Sequence, residues 1–375
     1  MIFQKPELSG EELALVGRIA ELERDLGHVA GTPKRWLGVL RRATFARAIR
    51  ASNTIEGYEV SADDAIAAVE REEPQEAKTE AWAAVNGYRS AMTYVLQLAD
   101  APRFSYSLDL LNSLHFMMQE YDLSKRPGRW RLGAIRVRDE EKREDVYEGP
   151  SVDVVPELMN ELIDSLNGAD RSVPGRVQAA MGHLNLVMIH PYSDGNGRMA
   201  RCLQTLILAR TGTLAPVFSS IEEYLGRNTQ EYYRALSTVG GGSWQPERDV
   251  RPWIRFCLIA HFRQATTLAR RFKETQLLWD LLEEDIKRRR LPDRVIFALA
   301  DAAMGYRVRN ATYRPSAEIN NQIASRDFKL LVEVGLLVPV GEKRGRSYMA
   351  APALVAMRSR TKLAKATEDP FEPKP

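Results

Sequence analysis

The chain has little cysteine and no long apolar run. Only Cys202 and Cys257 are present among 375 residues, too few for a disulfide framework, so we expect a reducing compartment, the cytoplasm. No stretch of about 18 apolar residues is available to cross a bilayer. The first residues also lack the charged and apolar segments of a signal peptide. We therefore expect a soluble protein with no membrane partner.

An excess of one charge is also missing. Lys and Arg number 53 and Asp and Glu 50, a formal net charge of +3, which gives no argument for nucleic acid as the main partner. With 44% hydrophobic and 27% charged residues, the composition is that of a globular protein. It excludes a disordered acidic or basic tail protein and a collagen-like chain. The length predicts roughly two to three domains.

Strand patterns are sparse, and most of the chain has helical periodicity. Apolar residues recur at helical spacing over 11–25, 36–51, 77–99, 107–120, 153–167, 176–189 and 197–210, the last ended by Gly212. The clearest strand pattern, at 130–137, is followed by a charged turn and Val146-Tyr147, which predicts a hairpin. The predicted fold class is therefore mainly α with a small hairpin.

The pattern changes towards the C-terminus. Residues 262–290 predict one charged helix that Pro292 ends. Helical segments at 293–303, 311–317 and 321–334 then precede strand patterns at 336–340 and 347–349. This order is that of a winged helix-turn-helix. The tail from Thr361 is polar and Pro-rich, which predicts disorder.

The most informative segment is HPYSDGNGRMAR at 190–201. Pro191 disfavours helix in the residue before it, so a helix ends at His190. Gly195 and Gly197 allow successive backbone N–H groups to point at one site, where the next helix begins with its positive dipole end. Such a nest suits a phosphate.

Side chains around the nest add the rest of a nucleotide-phosphate site. Asp194 offers a hard oxygen ligand for Mg²⁺. Arg198 and Arg201 lie three apart on the new helix and can bind further phosphates. His190 is the group that titrates near neutral pH, a candidate general base. Each residue alone has an ordinary structural role, but in this order and spacing they predict nucleotide phosphate transfer.

This segment resembles the signature of the Fic (filamentation-induced-by-cAMP) family, H-x-F-x-D/E-G-N-G-R-x-x-R. Tyr192 replaces the usual Phe, and we expect its ring to be buried. The resemblance implies a Fic helical core and a protein adenylyltransferase, which moves AMP from ATP to a Ser, Thr or Tyr hydroxyl of a target protein or of itself. By this resemblance His190 would deprotonate that hydroxyl and Asp194 would hold Mg²⁺. Phosphate oxygens would be bound by Asn196, by the backbone of Gly195 and Gly197, and by Arg198 and Arg201.

Further segments extend the resemblance to roughly residues 45–350. Residues 128–137, with Tyr147 and Pro150, are similar to the Fic flap hairpin, which is thought to pair with an extended segment of the target. Its target-docking residues would be Arg131, Ile135 and Val137. Tyr232 and Tyr233 resemble residues near the Fic adenine pocket. The glycines at 240–242 are not a P-loop, because no Gly-Lys-Ser/Thr follows them.

A second motif precedes the core. Ser52 and Glu56 lie four apart on a predicted helix that Gly57 can end, and they match the Fic inhibitory motif S/T-x-x-x-E-G/N. The resemblance implies that Glu56 pairs with Arg201 and occupies the γ-phosphate site, so that ATP binds with its α-phosphate misaligned. In some relatives the same carboxylate helps to position water that removes AMP, so a de-AMPylase or dual-activity enzyme stays open.

The predicted domains follow from these patterns. They are an N-terminal helical region at 1–100 with the inhibitory helix at about 45–57, a Fic core at 101–262, a connecting helix at 263–292, a winged helix at 293–352 and a tail at 353–375, disordered at its end.

Other functions remain as alternatives. Residues 305–350 hold eight basic side chains against four acidic ones, with Arg326 and Lys329 on the predicted recognition helix and Lys343, Arg344 and Arg346 on the wing. The chain could thus be a DNA-binding regulator with a nucleotide-sensing Fic core, although a winged helix equally serves to dock proteins. A metal hydrolase using His183 and His190 has no third ligand at suitable spacing. Transfer of UMP or phosphocholine and a homodimer also stay open.

Overall fold

The computed structural model describes residues 1–31, 34–74, 76–139, 143–170, 172–211, 214–342, 346–366 and 369–371. Most of this part of the chain is helical, in agreement with the predicted class. In these ranges no helix combines the length and the apolarity that crossing a membrane requires.

The elements follow one another in this order. The helices are α1 Gly10–Gly31, α2 Arg35–Ile55, α3 Ala62–Glu70, α4 Thr79–Leu98, α5 Leu108–Gln119, α6 Val155–Asn167, α7 Gly175–Ile189, α8 Asn196–Arg210, α9 Pro216–Ser219, α10 Glu222–Arg227, α11 Thr229–Gly240, α12 Arg251–Arg289, α13 Ile296–Ala303, α14 Asn310–Ala317, α15 Asn321–Glu333 and α16 Pro352–Arg360. Two antiparallel hairpins are formed by β1 Arg136–Asp139 with β2 Glu144–Glu148, and by β3 Leu337–Val340 with β4 Ser347–Ala350.

The core is built around the antiparallel pair α7 and α8. Both helices are buried on nearly all sides, α7 mostly through apolar residues and α8 with several buried polar and charged side chains as well. α4 packs against α8, and α6 and α12 pack against α7. The connection between α7 and α8 therefore joins two helices that lie in the buried core.

The first hairpin lies beside this pair and begins later than predicted. The predicted strand at 130–137 is found at 136–139, because the preceding residues are tied to the loop after α7 instead of to a second strand. Val137 pairs with Tyr147, whose hydroxyl donates a hydrogen bond of 2.8 Å to the carbonyl oxygen of Met188. That bond anchors the hairpin on α7.

The boundary predicted at 262–263, between the core and a connecting helix, falls inside α12. This helix runs without interruption from Arg251 to Arg289, starting with Pro252 in its first turn, where proline is tolerated. Its first half packs with α1, α7 and α11, and its second half packs with α13 and α16. One helix thus belongs to both parts of the molecule.

The C-terminal elements appear in the predicted order of three helices and a hairpin. α15 begins at Asn321, after Asn320 caps it by accepting from the backbone N–H of Ile323. Val308 adds a bridge to Tyr348 of β4, with backbone N···O distances of 2.8 and 2.9 Å. Arg346 is exposed, while Lys343, Arg344 and the predicted helix stop Gly212 lie outside the described residues.

The described part of the tail differs from the disorder that its composition predicts. The backbone N–H of Leu363 donates to a buried carboxylate of α12, Glu274, over 2.9 Å. The guanidinium of Arg255 lies 4.0 Å from the ring centroid of Phe371. The composition of the tail does not indicate these contacts, because the carboxylate that accepts from Leu363 belongs to α12.

Candidate active site

The segment 190–201 forms the connection between α7 and α8. α7 ends at Ile189, and His190 closes it in a left-handed conformation with φ 52° and ψ 55°. Gly195, with φ 77°, then lets the backbone turn into α8. The predicted end of one helix at His190 and the start of the next near Gly197 are therefore confirmed.

Tyr192 anchors this loop in the core, as expected from its place in the motif. Its ring is fully buried and stacks on His115, with centroids 3.7 Å apart. His115 accepts from the backbone N–H of Gly128, so its other nitrogen, Nε2, carries the proton and donates to the carbonyl oxygen of Asp194 over 2.9 Å. Burial lowers the pKa of His115 to about 4, and its ring stays neutral.

His190 has one ring nitrogen engaged. Its Nδ1 lies 3.0 Å from the carbonyl oxygen of Val187, which can only accept, so Nδ1 carries the proton. Nε2 is then the nitrogen with a lone pair. Burial lowers the pKa of His190 below its usual value, so the ring is neutral at pH 7. This is the protonation state that a general base requires.

Asn196 holds the loop through its own side chain. Its Oδ1 accepts from the backbone N–H of Tyr192 over 2.9 Å, and its Nδ2 donates to the carbonyl oxygen of the same residue over 2.8 Å. Both side-chain atoms are therefore used inside the loop, and the residue is buried. The side chain holds the loop in shape, and the second N–H of its Nδ2 remains for the predicted contact with phosphate.

Arg201 lies against the end of α2. Its Nε donates to the hydroxyl of Ser52 over 2.8 Å, and its NH2 lies 2.6 Å from Oε1 of Glu56. Burial opposes the charge of Arg201, but the nearby Glu56 carboxylate outweighs burial, and the pKa of Arg201 is raised. The structure thus brings together the three residues that the two motifs contribute.

Glu56 also reaches the first turn of α8. A Cβ built on Gly197 would collide with Oε1 of Glu56, so only glycine admits the carboxylate here. The positive end of the helix dipole and the guanidinium of Arg201 both favour a negative group at this place. In this structure that negative group is a side chain of the chain itself.

Arg198 is the group in this loop whose charge is least compensated. It is fully buried, and none of its three guanidinium nitrogens has a hydrogen-bond partner among the described residues. Its guanidinium lies 5.0 Å from the ring centroid of Tyr58. NH1 of Arg201 is likewise buried without a partner in this part of the chain. Buried charged donors without acceptors are costly, and a phosphate would satisfy them.

Asp194 is held by a lysine that the sequence analysis missed. Lys125 Nζ lies 3.0 Å from Asp194 Oδ2 and also donates to the hydroxyl of Tyr58 over 3.0 Å. Gln119 donates to the same carboxylate oxygen. Burial raises the pKa of Asp194, but Lys125, the charge of Arg198 and the backbone N–H of Gly195 together outweigh burial, and the pKa is lowered. Lys125 and Gln119 belong to a different part of the chain, and no local pattern links them to the loop.

A metal ion would find one carboxylate here. Among the described residues no three His, Cys, Asp or Glu side chains group together as metal ligands. Mg²⁺ on nucleotides commonly uses one or two carboxylates together with phosphate oxygens and water. Asp194 fits that pattern, provided that Lys125 gives up its contact.

The flap residues divide into two groups. Arg131 is buried, and its guanidinium donates to the carbonyl oxygens of His190, Gly133 and Pro150 at 2.9, 2.6 and 2.5 Å. The prediction that this side chain docks a target is therefore wrong: it ties the base of the hairpin to the loop. Ile135 and Val137 are half-buried beside it.

The two tyrosines predicted at the adenine pocket also differ. Tyr232 is 1% exposed and its hydroxyl bonds Nε2 of His183, which corrects its placement in an open pocket. Nδ1 of His183 bonds Gln204, so both ring nitrogens are occupied and neither is available to the metal site considered above. Tyr233 is 46% exposed, and its hydroxyl donates to the carbonyl oxygen of Ile55 at the end of α2.

Comparisons with known proteins agree with this geometry. Residues 105–208 match the family model of the Fic/DOC family. The chain is 30% identical over 173 residues to "Protein adenylyltransferase Fic" of Nematostella vectensis, covering 46% of this chain and 36% of that protein. It is 35% identical over 116 residues to "Protein adenylyltransferase fic-1" of Caenorhabditis elegans, covering 30% of this chain and 20% of that protein. The matches thus span between a fifth and about a third of the relatives' own length.

Solved structures share the fold. A Fic family protein from Desulfovibrio desulfuricans superposes with a TM-score of 0.59 at 22% identity, covering 93% of this chain and 99% of that one. Fic-1 from Caenorhabditis elegans gives 0.53 at 22% identity, covering 68% and 70%. The segment matched by the family model includes the whole connection from α7 to α8. Residues 105–208 of the chain are therefore similar to the Fic/DOC family, and the solved Fic structures share the fold of the chain.

Proposed function

We propose that this chain is a protein adenylyltransferase that moves AMP from ATP to a hydroxyl of a target protein or of itself, and that Glu56 inhibits it. One observation carries the proposal: His190, whose Nδ1 is hydrogen-bonded, closes α7 just before α8 begins, and in the first turns of α8 the guanidinium of Arg198 and NH1 of Arg201 are buried without a hydrogen-bond partner among the described residues. The names of the relatives support the same activity.

The reaction uses groups of this loop. Nε2 of His190 accepts the proton of the attacking hydroxyl, and the hydroxyl oxygen forms a bond to the α-phosphorus of ATP. The bond between that phosphorus and the oxygen bridging to the β-phosphate breaks, and pyrophosphate leaves. Arg198 and Arg201 balance its negative charge, and the backbone N–H groups at Gly195 and Gly197 bind phosphate oxygens. Asn196 and Arg131 hold the loop in place.

Mg²⁺ would be held by Asp194 together with the phosphates. When bound, the ion supplies positive charge against the phosphate oxygens. In the structure the ammonium of Lys125 neutralises Asp194, so it occupies the position that a cation would take. Lys125 must therefore move from Oδ2 of Asp194 before this carboxylate can bind the ion.

The position of the label on ATP tests the reaction. After incubation with Mg²⁺, the chain and added acceptor proteins should carry radioactivity from ATP labelled at the α-phosphate and none from ATP labelled at the γ-phosphate. Excess EDTA should remove the transfer. Label from the γ-phosphate would indicate a kinase reaction, and α-label from UTP in place of ATP would identify a different nucleotide. Either result would contradict the proposal.

A second candidate function concerns the C-terminal elements. We propose that residues 293–352 form a winged helix that binds duplex DNA, because Arg326, Lys329 and Arg346 are exposed there. Arg307 and Arg309 contribute less to DNA binding than their charge implies, since Arg307 contacts the carboxylate of Glu76 and Arg309 contacts the carbonyl oxygen of Glu73. Exchanging Arg326 and Lys329 for Ala should weaken binding of a fluorescent duplex about tenfold, measured by anisotropy at fixed salt. Equal binding by the variant would contradict DNA recognition through α15.

The two cysteines support the proposed compartment. Cys202 and Cys257 are both buried and unpaired, and burial raises their pKa well above its usual value. Their burial leaves them without a partner for a disulfide within the chain, which supports a reducing compartment such as the cytoplasm.

A further inference from the structure

A second positively charged site lies outside the loop 190–201. A cavity of about 260 Å³ opens where α2, α12, α13 and the residues after α16 meet. Its lining includes six cationic side chains: Arg47, Arg270, Arg271, Arg358, Lys362 and Lys365. Leu40 and Met304 close its apolar side. No residue of the loop 190–201 lines it.

The carboxylates near the cavity neutralise only part of this charge. Glu274 binds Arg270 and Arg358 at 2.5 and 2.9 Å. Glu223 binds Arg271 through both carboxylate oxygens at 2.6 Å. Two carboxylates therefore face six cations, which leaves an excess of four. Lys362 and Lys365 are exposed at the rim and pair with no carboxylate among the described residues.

Arg47 has one unsatisfied nitrogen in this cavity, while its NH1 and NH2 donate to the hydroxyls of Tyr306 and Thr44. The Nε of Arg47 is buried and makes no hydrogen bond within the described part of the chain. Oε2 of Glu223 lies 3.4 Å from it, but Arg271 uses both oxygens of that carboxylate. Burial and the neighbouring charge of Arg271 both lower the pKa of Arg47. A further anion in the cavity would reduce this repulsion.

We propose that this cavity binds a diphosphate or longer polyphosphate group. Guanidinium groups match the oxygens of phosphates in pairs, and the lysines supply charges at the rim. The excess charge favours a ligand with several negative charges over a single carboxylate or orthophosphate. The volume accommodates such a group, and cations of α2, α12, α16 and the residues after α16 line the same cavity. The source is either inorganic pyrophosphate or a nucleoside diphosphate.

Calorimetric titration of the full chain with inorganic pyrophosphate tests the proposal. We expect saturable binding that weakens about tenfold in the double variant Lys362→Gln, Lys365→Gln. Both side chains are exposed, so the variant should fold as the wild type does, which thermal unfolding checks. The matched control Lys78→Gln, Lys287→Gln removes the same charge from exposed positions elsewhere and should leave the affinity unchanged.

Two further titrations separate this site from the Fic loop and identify the source. Arg198→Ala removes a phosphate contact proposed for the Fic loop, so pyrophosphate binding that persists in this variant and still depends on Lys362 and Lys365 belongs to the cavity. Arg47→Met should reduce that binding. Titration with ADP identifies the source. If ADP binds and its affinity also depends on Lys362 and Lys365, the source is a nucleoside diphosphate. If pyrophosphate binds and ADP does not, the source is free pyrophosphate. Three results would each overturn the proposal: an equal loss of pyrophosphate affinity in both lysine double variants, a loss of affinity only in Arg198→Ala, or equally tight binding of orthophosphate. None of these results depends on adenylyl transfer.

Discussion

Replacing Glu56 by glycine should raise the transfer of α-labelled phosphate from ATP about tenfold to a hundredfold. The carboxylate of Glu56 lies 2.6 Å from Arg201 and against the first turn of α8, so it competes with a phosphate for both. A hydrogen bond to a charged group contributes about 1.5–3 kcal/mol, and each 1.4 kcal/mol is a factor of ten. The residue ends α2 with φ −94° and ψ 12°, which glycine adopts without strain. The measurement is the initial rate of label incorporation at fixed ATP and Mg²⁺.

Two variants serve as controls for the role of the Glu56 carboxylate. Glu59→Gly removes an exposed carboxylate three residues away and should leave the rate unchanged. Glu56→Gln keeps the shape and loses the charge, so its rate should lie between those of the wild type and Glu56→Gly. If Glu56→Gly binds ATP more tightly but transfers no more label than the wild type, the carboxylate blocks binding without limiting the reaction, and the inhibitory role proposed here is wrong.

The second large effect is expected at His190. In the Glu56→Gly background, His190→Ala should reduce transfer by about 10²- to 10⁴-fold while ATP binding stays unchanged. The pKa of this histidine is lowered by burial, so its neutral form persists below the usual titration range. Transfer by Glu56→Gly should therefore decline only below the pH range in which a solvent-exposed histidine titrates. Initial rates over this pH range, with ATP binding measured in parallel, provide the test.

The backbone of His190 requires a second substitution. Its φ of 52° is strained for alanine, whereas asparagine adopts the left-handed region more readily. His190→Asn should therefore keep the wild-type melting temperature and still lose transfer. His28→Ala, at an exposed position of α1, is the control for a histidine outside the site. Transfer that survives in His190→Asn would show that another group accepts the proton.

The fold was predictable wherever local periodicity decides the structure. α15 was predicted at 321–334 and is found at 321–333, because its apolar face and its cap at Asn320 are local in sequence. The hairpin was displaced because the contacts of Arg131 run to Pro150 and His190, which no periodicity reports. The beginning of α12 at Arg251 was missed for a similar reason, since its first turns pack on α7 and α11.

The sequence predicted best those contacts of the site whose residues lie close together along the chain. His190, Asp194 and the arginines of α8 follow one another, so spacing alone placed them around one loop. The contact of Glu56 with Arg201 followed from the resemblance to an inhibitory motif, 145 residues away. Lys125 was missed, because it reaches Asp194 from a separate segment. The direction of the Asn196 side chain was also missed, since the sequence does not show that both its polar atoms bind Tyr192.

The position of α2 has a thermodynamic consequence. This one helix carries Glu56 at its end and Arg47 in the charged cavity, and its Arg42 bonds Ser316 and Asp301 of the C-terminal helices. Any ligand that prefers one position of α2 must change the affinity for ATP, and ATP must change the affinity for that ligand by the same factor. Such reciprocity holds whatever the ligand is. The position of α2 would therefore couple nucleotide binding to ligand binding at the C-terminal elements.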